Sequence, residues 1–316
     1  MHTASDTRGV CARSHSRLRM RLLRSGFTLG SWLMPGPTVR RAHRLFDTPL
    51  GSSRNRALAH APPAPGLDFM RWQGERLALY RWGDPARQPV VLFVHGWSSY
   101  GQRWMSWLPS VRAAGYAVVA FDQLGHGRSG GHRNNLPGFV DAVVGVARHL
   151  GAGIEGHPLA AVIGHSLGAA AVSQALSKNL FAQRAVLIAP PADLHAASLR
   201  FARLIGLAPH LVPPLVRSFH THTGVDPLAL RPHRHAPALS THALIVHDGA
   251  DNEVPWDEGE QYARYWPGAR MLSTFGLGHR RILDDPDVID AGIRFLAGEA
   301  IGERVVSTPD LPSGLA

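Results

Sequence analysis

From Asp68 onward the chain alternates short, nearly unbroken apolar runs with stretches of helical periodicity. That alternation is the sequence form of a doubly wound, mostly parallel sheet. RLALYRWG (76–83) reads as an early edge strand. VVLFVHG (90–96) reads as a strand buried on both faces, because a continuous apolar run leaves no polar face for water. YAVVAFD (116–122), LAAVIGHS (159–166) and AVLIAP (185–190) repeat the pattern, and ALIVHDG (243–249) and ARMLSTF (269–275) complete it. Between these runs the spacing predicts helices over 102–113, 136–150, 167–178, 257–266 and 286–297. The alternation breaks between 192 and 241, where helical pieces and repeated prolines read as a short helical cap inserted between late strands. The fold class expected is therefore α/β, with a domain over 67–300, its cap at approximately 192–241, and a C-terminal tail over 301–316.

Residues 1–66 differ from the rest in charge. They hold 11 Arg against Asp6 and Asp47, whereas the remaining chain carries 22 cationic residues against 21 acidic ones. Nearly all of the formal charge of +10 thus belongs to the N-terminus, and Lys178 is the only lysine. A nearly neutral body gives no reason to expect a nucleic-acid partner. LRMRLLRSGFTLGSWLM (18–34) places an Arg-rich run before a short apolar one, the charge order of a signal peptide or a membrane-surface anchor. It is too short and too interrupted to span a bilayer, which takes about 20 apolar residues. Residues 1–66 are expected to be an extension and linker, partly disordered or packed loosely on the domain, with Met20 or Met34 as alternative starts. A membrane-surface contact through the arginines is the other reading, and 50–66, ending APPAPG, reads as the linker proper. The location expected is cytoplasmic, with or without membrane association. Cys11 is the single cysteine, so neither an internal disulfide nor a cysteine-based metal or catalytic site is expected.

The strongest chemical signal is GHSLG, Gly164 to Gly168, at the end of one predicted strand and the start of the next helix. A nucleophile at such a junction sits on a sharp turn that small neighbours tolerate, which accounts for Gly164 and Gly168 on either side of Ser166. The helix that follows aims free N–H groups at the same place, favouring a developing oxyanion. A serine hydroxyl needs a base, and the base needs a group to orient it. Asp251 lies in the loop after the strand at 243–249, and His279 in the loop after the strand at 269–275. Asp248 and Glu253 are rivals for the acid. His165 should point away from the serine hydroxyl, while His95 and His126 are expected to fix strand-end loops by hydrogen bonding. The oxyanion donors expected are the N–H groups of Leu167 and Trp97, with Gly96 allowing close approach; the other reading of HGW (95–97) is a plain turn over a packed aromatic. His220, His222, His233 and His235 could touch a metal, but lack neighbouring acids or cysteines, so no metal site is expected.

With Ser166, Asp251 and His279 in that chain order, the stretch from about Arg76 to Ala297 resembles the α/β-hydrolase superfamily. FDQLGHGRSGGHR (121–133) followed by a helix is similar to the monoacylglycerol lipase, lysophospholipase and serine aminopeptidase-like branch. The resemblance implies ester hydrolysis on acyl-chain substrates, with the cap shaping the acyl pocket. FARLIGLAPHLVPPLV (201–216) would then supply an apolar wall, or be the cap's own packing. Dehalogenases and epoxide hydrolases resemble this fold but use an aspartate at the elbow, where this chain has Ser166. No phosphate-cradling loop, dinucleotide fingerprint or zinc motif occurs, so no cofactor is expected and the partner expected is a small acyl ester. A thioesterase or amide-cleaving peptidase using the same three residues, and a non-catalytic lipid- or membrane-binding protein, are the alternatives.

Overall fold

The structure, a computed structural model, describes residues 6–61 and 66–305. The chain divides into two compact units, one made of the residues up to Asp47 together with Asp193–Pro227, the other of Thr48–Ala192 and the residues from Leu228 on.

The larger unit is built on an eight-stranded sheet: β1 (Leu67–Trp72), β2 (Glu75–Trp82), β3 (Val90–Val94), β4 (Ala117–Phe121), β5 (Leu159–His165), β6 (Ala182–Ile188), β7 (His242–Asp248) and β8 (Arg270–Thr274). Their spatial order is β1-β2-β4-β3-β5-β6-β7-β8. β1 and β2 pair antiparallel, as do β2 and β4, and every other pair is parallel. The fold is therefore α/β, as the alternation indicates. The continuous apolar runs follow from burial on both faces, since neighbouring residues of a strand point to opposite sides. Leu92 packs with Phe139, Val143 and Val172 under helices Leu136–His149 and Leu167–Leu176. Phe93, next in sequence, packs with Trp104, Trp107 and Val111 on the other side, where helices Leu108–Ala113 and Pro286–Leu296 lie.

β1 is an element that the pattern does not reveal, because the strand buries Met70 while Asp68, Phe69 and Arg71 are exposed. It joins β2 through Gln73 and Gly74, both at positive φ (48° and 81°), the conformation that a two-residue hairpin turn requires. Residues 50–66 also differ from the expected linker. Helix Gly51–Ala59 buries Ser53 and Ala57, and Arg54 donates to the carbonyls of Ser129 and Gly131. Residues 62–65 of that stretch and 306–316 of the expected tail lie outside the described residues. Before that point the tail exchanges hydrogen bonds with β8, Met271 N–H to Glu303 O at 2.7 Å and Glu303 N–H to Met271 O at 2.8 Å.

The smaller unit is helical: Asp6–Leu33, Pro35–Phe46, Leu194–Ile205 and Val212–Thr223. Its core joins Phe27, Val39 and Ala42 to Ala202, Ile205, Leu207, Leu211, Val212 and Leu215. Residues 18–47 are thus not a loose extension. Leu23, Phe27 and Ser31 fall one helical turn apart on a single face, and that face is covered by the segment 193–227. Thr28 Oγ1 donates to Gly206 O (3.0 Å), and Ser31 Oγ accepts from Ala208 N–H (3.1 Å). The apolar residues of 201–216 accordingly go largely into the packing of this unit. Among the described residues no helix is long and apolar enough to cross a membrane.

Candidate active site

β5 ends at His165, helix Leu167–Leu176 begins one residue after Ser166, and Ser166 itself has φ +53° and ψ −127°. A non-glycine residue in that region is strained and is held there by its surroundings. Ser166 N–H donates to Ile188 O (2.8 Å), and its carbonyl accepts from Ala169 N–H (2.9 Å) and Ala170 N–H (3.1 Å). The flanking glycines answer to close backbone approach. A Cβ on Gly164 would meet Ala169 Cα at 2.6 Å, and one on Gly168 would meet the carbonyl oxygens of Val94 and His95, both at 2.5 Å. Gly96 is equally tight, since a Cβ there would lie 2.9 Å from Ser166 Cβ. The loop after β3 therefore abuts Ser166, with Trp97 next along, its ring 5.0 Å from that of His126 and 6.0 Å from Phe139. Leu167 opens its helix, where first-turn N–H groups lack intrahelical acceptors.

His279 stands in a short helix, Gly278–Arg281, after β8. Its Nδ1 donates to Asp251 Oδ2 at 2.6 Å, with both groups buried. Asp251 also accepts from Glu253 N–H (2.8 Å) and Val254 N–H (2.9 Å), and His247 Nε2 lies 3.5 Å from its Oδ2. Burial by itself would raise the Asp251 pKa, but the hydrogen bonds from His247, His279 and Val254, with the charge of His279, hold the carboxyl well below the usual range. The rival acids are engaged elsewhere. Asp248 accepts from Ala250 N–H (2.9 Å), Thr274 Oγ1 (2.8 Å) and Leu277 N–H (3.0 Å). Burial opposes its ionisation, while those bonds and one from Gly278 N–H lower its pKa. Glu253 pairs with Arg280.

Among the described residues no hydrogen bond joins the Ser166 hydroxyl to the His279 ring, and it is His165, the residue before Ser166, that contacts His279. The His165 ring donates from Nε2 to the His279 carbonyl (2.8 Å) and packs 4.7 Å from the His279 ring. Burial, then the neighbouring His279, pushes His165 well below its ordinary pKa and keeps it neutral. His95 donates from Nδ1 to Gly96 O (2.7 Å) and accepts at Nε2 from Gln123 N–H (3.0 Å). His126 accepts from Ser98 N–H (3.1 Å), and burial pushes its pKa down to about 3. Both fix loops. The histidines weighed as metal ligands have other neighbours. His222 stacks on His43 at 4.3 Å, His220 Nδ1 lies 3.0 Å from Val225 O, His233 packs on Tyr265, and His235 Nδ1 lies 2.9 Å from Gln174 Nε2. Among the described residues no three metal-binding side chains gather.

Two participants have no sequence signal of their own. His247 reads as one more residue of a buried strand, and its place beside Asp251 depends on the turn at 248–251. Ser98, at φ +52°, holds the Trp97 loop by accepting from Leu50 N–H (2.9 Å), a residue 48 positions earlier.

A family model described as serine aminopeptidase, S33, matches residues 85–257, more than half the chain. The chain belongs to that family, and its fold is that of an α/β hydrolase. It is 35% identical over 106 residues to epoxide hydrolase B of Mycobacterium tuberculosis, covering 32% of this chain and 28% of that protein. It is 34% identical over 98 residues to monoacylglycerol lipase of Mycolicibacterium smegmatis, covering 30% of this chain and 35% of the lipase. The matches thus span about a third of each curated relative. Among solved structures, a hydrolase from Pseudomonas aeruginosa superposes with a TM-score of 0.57 at 19% identity, covering 75% of this chain and 100% of that one. This last similarity speaks for the fold.

Proposed function

We propose that the protein is a serine hydrolase that cleaves carboxylic esters, lipid-derived or small, through an acyl-enzyme. The observation that carries the proposal is a buried His279–Asp251 pair at 2.6 Å whose histidine contacts His165, the residue before a serine held at φ +53°. With Nδ1 donating to Asp251, neutral His279 keeps Nε2 as its acceptor. Ser166 Oγ attacks the ester carbonyl carbon while its proton passes to His279 Nε2, and the Leu167 and Trp97 N–H groups receive the oxyanion. Collapse of the tetrahedral intermediate breaks the carbonyl–oxygen bond, and the leaving alcohol takes the proton from His279. Water, deprotonated by the same nitrogen, then cleaves the acyl-enzyme and restores the Ser166 hydroxyl. Asp251 stays ionised throughout and stabilises the imidazolium. The small acyl ester is the partner proposed, with no nucleic acid and no cofactor.

The serine elbow and the similarity to a monoacylglycerol lipase support this reading. The description of the matching family favours amide cleavage as a second one. Hydrolysis of p-nitrophenyl esters of graded chain length, compared with the anilide of the same acyl group, separates the two. Ester turnover by wild type and its loss in Ser166→Ala are expected. Equal turnover by both proteins would overturn the mechanism, and faster anilide cleavage would favour the peptidase.

A further inference from the structure

Over residues 18–33 the helix Asp6–Leu33 carries apolar side chains on two opposite faces. Leu23, Phe27 and Ser31 face the core of the smaller unit. On the other side Leu18, Leu22, Leu29 and Leu33 lie in one stripe at helical spacing, 56%, 66%, 62% and 77% exposed, with Trp32 beside them at 71%. A soluble surface seldom aligns five large apolar side chains, and such a stripe marks an interaction site. We infer that this stripe is the contact by which the protein lies on a lipid surface carrying anionic headgroups.

Charge decides the partner. Arg19, Arg21 and Arg40 are exposed on this helix and the next, within a segment of 11 Arg and two Asp. A second copy of the chain would bring the same arginines against these, whereas an anionic headgroup layer satisfies both the cations and the leucines. Trp32 belongs at such a boundary, its ring in the acyl region and its N–H toward water. The helix cannot cross the bilayer, so it lies in the interface plane. The inference concerns the smaller unit and stands or falls apart from the ester chemistry.

The test is co-sedimentation of the full chain with phosphatidylcholine vesicles, with and without a third of phosphatidylglycerol. Wild type is compared with Leu22→Ser/Leu29→Ser/Trp32→Ser/Leu33→Ser and with Arg19→Ser/Arg21→Ser/Arg40→Ser. Wild type should bind the anionic vesicles, less so at high salt. Each variant should lower the apparent partition constant by at least about tenfold while keeping wild-type ester turnover and near-UV circular dichroism. The arginine variant leaves the apolar stripe intact, so it still tests the contact if the serine variant misfolds. Absence of binding by wild type would overturn the inference, and so would equal binding by the well-folded variants. A wild-type dimer that the serine substitutions convert to monomer, without vesicle binding, would assign the stripe to a second copy instead.

Discussion

Ser166, Asp251 and His279 owe their positions to backbone constraints that can be tested one residue at a time. Replacing Ser166 with alanine is expected to lower kcat by on the order of 10⁶, by analogy with serine proteases that lose their nucleophile, and stopped assays with an activated ester measure it. The acids differ more instructively. Asp251 orients the His279 ring, whereas Asp248 accepts from Thr274 and Leu277 and so shapes the loop that carries His279. Asp251→Asn should reverse the tautomer preference of His279 and cost about 10⁴ in kcat. Asp248→Asn leaves the Asp251 pair in place and replaces one accepting oxygen with an NH₂ group, so it should lower the melting temperature with a far smaller loss of kcat. Measured side by side, equal kcat losses in the two variants would contradict this division of roles. The places of Ser166, Asp251 and His279 in loops or turns after strands were legible from the motif order and the strand pattern. The contacts behind them were not, because His247 and His165 reach their partners only through turns that carry no pattern.

The elbow is the element on which the site depends. A methyl on Gly168 would press on the carbonyls of Val94 and His95, backbone atoms at the end of β3 that cannot swing aside. Gly168→Ala should therefore lower stability by about 3 kcal/mol and displace Trp97 as well as Ser166, observable as a fall in both melting temperature and kcat. The helix Gly51–Ala59 has a related part, since Leu50 N–H holds Ser98 next to Trp97. The buried strands β3 to β7 were legible because each is a continuous apolar run between turn residues. β1 was not, since an edge strand that buries one side chain lacks the alternation of a half-buried strand, and Gln73-Gly74 is a hairpin turn without the usual Asn or Asp. The helices of residues 18–46 were hidden for a different reason. Their buried face finds its partners about 180 residues later, at Ala202 to Leu215, and the exposed leucines and interleaved arginines blur the amphipathic period. Phe27→Ala, in the middle of that face, should destabilise the smaller unit by about 3 to 5 kcal/mol. Limited proteolysis reports the change as earlier cleavage within 18–47 or 193–227.

At the scale of the molecule, buried histidines tie stability to pH. Burial pushes His126 down to about 3 and His235 to about 4, and lowers His95 and His165 as well. Each is neutral when folded but takes up a proton when unfolded once the pH drops below its ordinary 6.5. The unfolded state then binds more protons, so stability is fully present above 6.5 and is lost as the pH falls from there toward 4. Each such histidine adds a slope of up to about 1.4 kcal/mol per pH unit. The melting temperature should fall from pH 7 to 4.5, and less steeply in His126→Gln; a flat profile would contradict the burial of these rings. Asp248 and Asp251, depressed below 3.8, extend the loss to lower pH. The central claim is that this α/β hydrolase acts through Ser166, and the most direct measurement is peptide mapping of the full chain after reaction with a fluorophosphonate. One adduct on the peptide carrying Ser166, absent from Ser166→Ala and slowed by orders of magnitude in His279→Ala, is the result expected. A folded protein that takes no label, or takes it on another residue, would contradict the account.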